Sequence, residues 1–207
     1  MNIKITLSIL SSIIGIVAFL PYIFDVIKKK TRPHIFTWLI SSITQGTATV
    51  GIWYGKGGIG AIALTIGTFF VILVFFLSLR NGKKDIARID IAFLTIALGS
   101  ILIWWLLDLP TLSIFLVTGI RIIGYIPTFR KSYKNPWIET VFAWGAWAIG
   151  DILIILALEQ YNLLTLLFVS MLTMVNGGMF VLLLVRRKKV PISQPEFPEL
   201  VEKIKTV

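Results

Sequence analysis

The chain has 207 residues, of which 57% are hydrophobic and 14% are charged, and its formal net charge is +10. Soluble domains have about 45–50% apolar and about 25% charged residues, so a soluble fold of this composition would expose too much apolar surface. The hydrophobic content also excludes a disordered chain. The absence of cysteine excludes disulfides, thiolate metal sites and cysteine nucleophiles, and the single histidine, His34, leaves little material for a histidine metal site.

Long apolar segments follow one another along the chain. A membrane helix needs about 20 mainly apolar residues. Seven segments meet this requirement: 5–27, 35–54, 59–79, 91–109, 111–129, 137–158 and 161–185. The sequence therefore predicts an all-α membrane protein with seven transmembrane helices. The loops between them are too short for a soluble catalytic domain, so we expect no enzyme and no cofactor.

Lysine and arginine are unevenly distributed between the predicted loops. The first, third and fifth loops and the flank after the last span hold 15 of the 20 basic residues. These are Lys28, Lys29, Lys30, Arg32, Arg80, Lys83, Lys84, Arg88, Arg130, Lys131, Lys134, Arg186, Arg187, Lys188 and Lys189. The opposite side holds Lys4 and Lys56. The positive-inside rule then predicts an outside N-terminus and a cytoplasmic C-terminus, with the cell membrane as the default location. The basic excess is topological, and we expect no nucleic-acid partner.

The sequence aligns with itself at an offset of 106 residues. Five pairs correspond: Pro21 with Pro127, Phe36 with Phe142, Trp38 with Trp144, Gln45 with Asp151, and Arg80 with Arg186. This predicts a first triple-helix bundle (1–82), a linking inversion helix (83–109), a second triple-helix bundle (110–189) and a cytoplasmic tail (190–207). Because three spans is an odd number, the extra helix gives both bundles the same orientation, as in parallel-repeat transporters.

Short stretches recur in the two predicted bundles. They are Phe19-Leu20-Pro21-Tyr22-Ile23-Phe24 and Tyr125-Ile126-Pro127-Thr128-Phe129-Arg130 in the first helices, and Lys30-Thr31-Arg32-Pro33 and Tyr133-Lys134-Asn135-Pro136 before the second helices. With the 3+1+3 order they resemble the SWEET / PQ-loop superfamily of seven-helix membrane transporters. Tyr22 and Thr128 stand where the family motif has glutamine. The resemblance implies passage of small polar solutes, such as sugars or cationic amino acids.

Pro21 and Pro127 lie inside the first helix of each bundle. Proline removes a backbone donor and clashes with the preceding turn, so each is expected to kink its helix. A symmetric pair of kinks suits hinges for a rocking motion. Membrane helices also tolerate proline without any motion, and this alternative stays open.

The second helices carry aromatic and polar side chains on one face. Trp38 precedes Gln45 by seven residues, and Trp144 precedes Asp151 by seven residues. Both spacings place the two side chains on one helix face. An indole ring near a hydrogen-bonding group suits a sugar-like solute that stacks its apolar face. The alternative is that the tryptophans are interfacial and the polar groups join helices.

Arg121 and Asp151 are charged residues deep in predicted spans. Such charges are costly in lipid and usually face the bundle interior in pairs. We expect Arg121, with Tyr125 on the same helix face, to pair with Asp151 in the same bundle. A permanent pair would be structural. A pair that opens would let Asp151 bind solute or a proton and Arg121 bind an anionic group.

The resemblance also implies a solute-contacting asparagine in the third helix of a bundle, which carries onto Asn176. Phe70 stands 106 residues earlier, so the site is expected to be asymmetric. A membrane asparagine can instead form an interhelical hydrogen bond.

The favoured hypothesis is a transporter that moves a small polar solute by alternating access, with the lipid bilayer and the solute as its partners. Its predicted lining is Trp38, Gln45, Arg121, Tyr125, Trp144, Asp151 and Asn176. The alternative is a non-transporting receptor or scaffold that binds a peptide or small ligand. The sequence leaves a homo-oligomer, the solute and its coupling open.

Overall fold

The computed structural model describes residues 2–28, 33–81 and 88–191, and every regular element in these ranges is a helix. The helices are α1 (Ile3–Ile27), α2 (Ile35–Tyr54), α3 (Gly60–Asn81), α4 (Arg88–Leu107), α5 (Pro110–Lys134), α6 (Val141–Ala157) and α7 (Leu163–Lys189). A short 3₁₀ turn, Pro136–Ile138, precedes α6. Residues 29–32 and 82–87 of the predicted basic loops lie outside the described residues, as does the predicted tail from residue 192.

Five of the seven helices are long and apolar enough to cross a membrane: α1, α3, α4, α5 and α7. The predicted second and sixth spans do not meet this criterion on their own. Helix α2 has 20 residues, but seven of them are Ser, Thr or Gln. Helix α6 is apolar but has 17 residues, because the chain around Pro136 forms the 3₁₀ turn and the helix begins only at Val141. The long apolar helices are those of a helical membrane protein.

The outer surface of this protein is apolar, unlike that of a soluble domain. Many large apolar side chains face outward, and Trp105 and Met174 are 78% and 75% exposed. Small polar side chains face inward, and Thr44 and Thr165 are completely buried. Many of the buried hydroxyl groups donate to a carbonyl one turn earlier in their own helix, as Thr44 does to Ile40 at 2.9 Å. This satisfies polar groups without water, as a lipid environment requires.

The packing order of the helices relates the two halves of the chain. Helix α3 lies between α1 and α2, and α7 lies between α5 and α6; in the described residues the backbones of α1 and α2 are not adjacent, nor are those of α5 and α6. Between the halves, α1 packs on α6, α2 on α5 and α7, and α3 on α6. Exchanging α1 with α5, α2 with α6 and α3 with α7 leaves this set of contacts unchanged. Helix α4 packs on α2 and α5.

The two ends of the helices differ in how the halves are joined. We call the end that carries the lysine- and arginine-rich loops the basic end, and the end with the α2–α3 turn the glycine-loop end. The largest apolar cluster lies toward the glycine-loop end and joins both halves, with Ile52 and Leu64 from one half and Ile114, Leu158 and Phe168 from the other. A second cluster at the basic end, around Trp144, Met179 and Leu183, belongs to α5–α7 alone.

Candidate functional site

Asp151 and Asn176 form a hydrogen-bonded pair in the middle of the second half. The Asn176 Nδ2 atom donates to Asp151 Oδ2 at 2.7 Å, and both residues are more than nine-tenths buried. Helices α6 and α7 are direct neighbours, which brings the two short side chains together. The carbonyl group of the preceding residue, Gly150, accepts from Ser11 Oγ of α1 at 2.8 Å. The pair therefore lies close to the boundary with α1.

The predicted pair between Arg121 and Asp151 is wrong. Arg121 Nη1 donates to the hydroxyl group of Ser41 on α2, and its guanidinium lies over the ring of Tyr125 at 5.3 Å from the centroid. Because α7 separates the backbones of α5 and α6, the short side chain of Asp151 does not reach Arg121. Arg121 thus links α5 to the other half of the protein rather than to α6.

Aromatic rings form a continuous series across the two halves. Phe70 stacks on Phe19 at 5.6 Å between centroids, and Phe19 contacts Trp147 at 5.7 Å. Trp147 contacts Trp144 at 5.6 Å, and Trp144 contacts Tyr125 at 6.1 Å, both edge-to-face. The series brings the predicted residues Tyr125 and Trp144 together and ends beside the guanidinium of Arg121. Trp144 Nε1 donates to Glu139 Oε2 at 3.2 Å.

Trp38 and Gln45 lie apart from this group. Trp38 contacts the ring of Tyr22 at 5.3 Å, and none of its ring contacts in the described residues is to Trp144. Gln45 is 5% exposed, and its amide lies against α3, where a Cβ atom added at Gly67 would be 3.5 Å from Nε2. Trp38 and Gln45 thus have neighbours in the first half, and their part in a common lining with Trp144 stays a prediction.

Both prolines predicted as hinges lie within continuous helices. Helix α1 runs through Pro21, which is exposed on the outer surface, to Ile27. Helix α5 runs through position 127 to Lys134, and the side chain of Pro127 lies outside what the structure describes. The hinge role stays a prediction.

Three side chains outside the predicted lining complete the site. Ser41 anchors Arg121, whereas the hydroxyl group of the neighbouring Ser42 donates to Trp38 O within α2. Thr118 Oγ1 and Trp147 Nε1 are buried without a hydrogen-bond partner, as is Arg121 Nε. Only the structure shows which buried polar atoms have no hydrogen-bond partner, so the sequence alone does not identify these residues.

The glycine-loop end is held together by a group of polar contacts that we call the clasp. Asn162 Nδ2 donates to Gly55 O at 2.8 Å, and Lys4 Nζ donates to Leu158 O at 2.7 Å. Glu159 contributes twice, because its backbone N–H donates to Gly57 O at 3.0 Å and its Oε1 accepts from Ile59 N at 3.3 Å. The Gly58 backbone has a φ of +61°, and a side chain there would overlap the carboxyl group of Glu159. A larger residue at position 58 would therefore have to adopt a positive φ and displace the carboxyl group of Glu159.

Asn81, Arg186 and Arg187 at the basic end donate to carbonyl groups of their own half. Asn81 Nδ2 donates to Val26 O at 3.3 Å within the first half. Arg186 and Arg187 donate to carbonyl groups of Tyr133, Pro136 and Glu139 within the second half. The clasp thus has no counterpart at this end in the described part of the chain.

No group of three or more His, Cys, Asp or Glu side chains in the described residues could hold a metal ion. The chain matches no protein-family model, no curated protein and no solved structure.

Proposed function

We propose that this protein is a membrane transporter that moves a small polar solute, a sugar or a similar metabolite, between two triple-helix bundles by alternating access. Helices α1–α3 form the first bundle, α5–α7 form the second, and α4 is the inversion helix, as in the SWEET / PQ-loop superfamily. All seven helices cross the bilayer in this proposal. The polar helix α2 crosses because α3, α4, α5 and α7 shield it from lipid.

The observation that carries the proposal is a set of buried polar atoms without protein partners near the boundary between the bundles. Thr118 Oγ1, Arg121 Nε and Trp147 Nε1 have no hydrogen bond. Buried polar groups in proteins are normally satisfied, and leaving one unmade costs about 1–3 kcal/mol. A solute that passes between the bundles supplies the missing partners. The aromatic series next to these atoms offers flat apolar surfaces to the same solute.

The contrast between the two ends supports alternating access. The clasp and the shared apolar cluster close the glycine-loop end, while at the basic end Asn81, Arg186 and Arg187 bond within their own bundle. This corresponds to a state closed on the glycine-loop side. Opening the clasp and closing the basic end would complete the cycle. The basic end faces the cytoplasm by the positive-inside rule, which puts the N-terminus outside, and we assign the protein to the cell membrane.

Counterflow in proteoliposomes tests the proposal. The purified full chain is reconstituted, loaded with one unlabelled solute and given the labelled solute outside, with sugars, amino acids and small carboxylates in the panel. We expect labelled uptake above that of protein-free vesicles for at least one class. Binding of a solute without any flux would instead select a receptor or scaffold.

A further inference from the structure

The guanidinium of Arg121 lies in a membrane-spanning helix without a carboxylate partner in the described residues. Charged side chains in such helices are normally paired, because an isolated charge in lipid is costly. Asp151, the expected partner, is engaged by Asn176 at 2.7 Å. Ser41 and Tyr125 are the groups that hold Arg121, and both are uncharged. No carboxylate of the described residues therefore neutralises this charge, which favours an anionic ligand.

One edge of the guanidinium makes no hydrogen bond to the described residues. Nη1 is engaged by Ser41, and the face of the group is covered by the Tyr125 ring. Nε is buried without a partner, and Nη2 makes no hydrogen bond to the described residues. Nε and Nη2 carry two parallel N–H groups that match the two oxygens of a carboxylate.

Thr118 adds a third uncommitted group on the same helix face. It precedes Arg121 by three residues, a spacing that makes the two side chains neighbours on α5. It is 4% exposed, and its hydroxyl group has no partner. The hydroxyl group of Thr118 is placed to donate to one oxygen of a carboxylate that binds Arg121. The rings of Tyr125 and Trp144, 6.1 Å apart, flank the place where the organic part of such a molecule would lie.

We propose that the transported solute carries a carboxylate, which binds the Nε–Nη2 edge of Arg121 and the hydroxyl group of Thr118. The proposal rests on the proposed transport function and names its substrate class. A neutral sugar would leave the guanidinium charge unpaired, and a cationic solute would be repelled by it. A free acid, the carboxylate of an amino acid and the C-terminus of a peptide share the required chemistry.

Ligand pairs that differ only in charge test the proposal on the unmodified protein. Thermal stabilisation in detergent is measured with lactate and lactamide, and with glutamate and glutamine. Counterflow is measured with lactate, succinate, glutamate, glucose and lysine. We expect at least one carboxylate to bind and exchange at least about tenfold better than its amide analogue or than glucose. Equal binding of lactate and lactamide, together with glucose exchange, would overturn the carboxylate assignment while leaving transport intact.

Two substitutions test the residues. Arg121→Lys keeps the charge but removes the two parallel N–H groups, and we expect carboxylate affinity to fall at least about tenfold. Thr118→Val should cost about threefold or more. Arg88→Lys, an exposed position at the start of α4, is the control and should change affinity less than about twofold. Wild-type affinity in Arg121→Lys would overturn the proposal, and the lactate–lactamide comparison decides if this variant does not fold. Arginine-dependent binding without flux would keep the carboxylate site and overturn transport.

Discussion

Lys4 makes the shortest contact in the clasp, and its removal should open the glycine-loop end. Its Nζ donates to Leu158 O at 2.7 Å and lies 6.0 Å from the ring centroid of Tyr161. A hydrogen bond with a charged donor contributes about 1.5–3 kcal/mol, so Lys4→Met should destabilise the closed state by about 2 kcal/mol. Since 1.4 kcal/mol corresponds to tenfold, the open population should rise about 25-fold while it remains the minor state.

The absence of cysteine makes this population measurable. Gly150 of α6 is buried where α6 meets α1, and its carbonyl group accepts from Ser11 Oγ. A Cβ atom added at Gly150 would have its nearest contact at 3.7 Å, an ordinary van der Waals distance, so Gly150→Cys is a reporter that the closed state shields without steric cost. The assay is the rate at which a membrane-impermeant maleimide, added on the N-terminal side of vesicles, labels this single cysteine.

Lys56→Met is the matched control, because Lys56 is an exposed lysine at the same end that makes no clasp contact. We expect labelling to rise about 25-fold in Lys4→Met and less than about twofold in Lys56→Met. Equal labelling rates in both variants, with both proteins folded, would show that the clasp does not hold the glycine-loop end closed.

Three further predictions concern the interior. Asn176→Leu removes the only side-chain bond described for Asp151, and a double-mutant cycle with Asp151→Leu should give a coupling of about 1 kcal/mol or more in unfolding free energy; additivity would contradict the pair. Trp144→Ala should raise the solute KM about tenfold, whereas Trp144→Phe should change it less, because the ring contacts with Tyr125 are partly kept; equal KM values in the two variants would argue against an aromatic wall. Replacing Pro21 and Pro127 together with alanine should lower the exchange rate more than solute affinity, and an unchanged rate would remove the hinge role.

The sequence predicts the helices well and their neighbours poorly. Apolar length locates all seven segments, because a helix must satisfy its own backbone in lipid and can do so locally. The start of α6 was placed four residues early, since Glu139 and Thr140 interrupt an otherwise apolar stretch. The pairing of Arg121 was wrong because packing order is a property of the whole bundle, and no spacing within α5 reveals that α7 separates it from α6.

The candidate site was only partly predictable from the sequence, because the packing order of the helices decides which side chains meet. Helical spacing correctly groups Arg121 with Tyr125 and identifies Asp151 as an interior residue. It does not fix which face of α2 meets α5, so Ser41 and Ser42 are equivalent by sequence although only Ser41 holds Arg121. Trp147 lies one turn from Trp144 and is equally recognisable in the sequence. Whether its N–H group has a hydrogen-bond partner depends on the neighbouring helices, which the sequence does not give.

A reversible cross-link of the clasp tests most directly whether solute passes between two bundles that must separate at this end. A Cβ atom added at Gly58 would overlap the carboxyl carbon of Glu159, so the two positions face each other across the loops and cysteines are introduced at both. In proteoliposomes of the variant Gly58→Cys/Glu159→Cys, oxidation should abolish counterflow and reduction should restore it, while either single-cysteine variant is insensitive. Full counterflow with the disulfide quantitatively formed would show that the bundles do not need to separate at the glycine-loop end for transport.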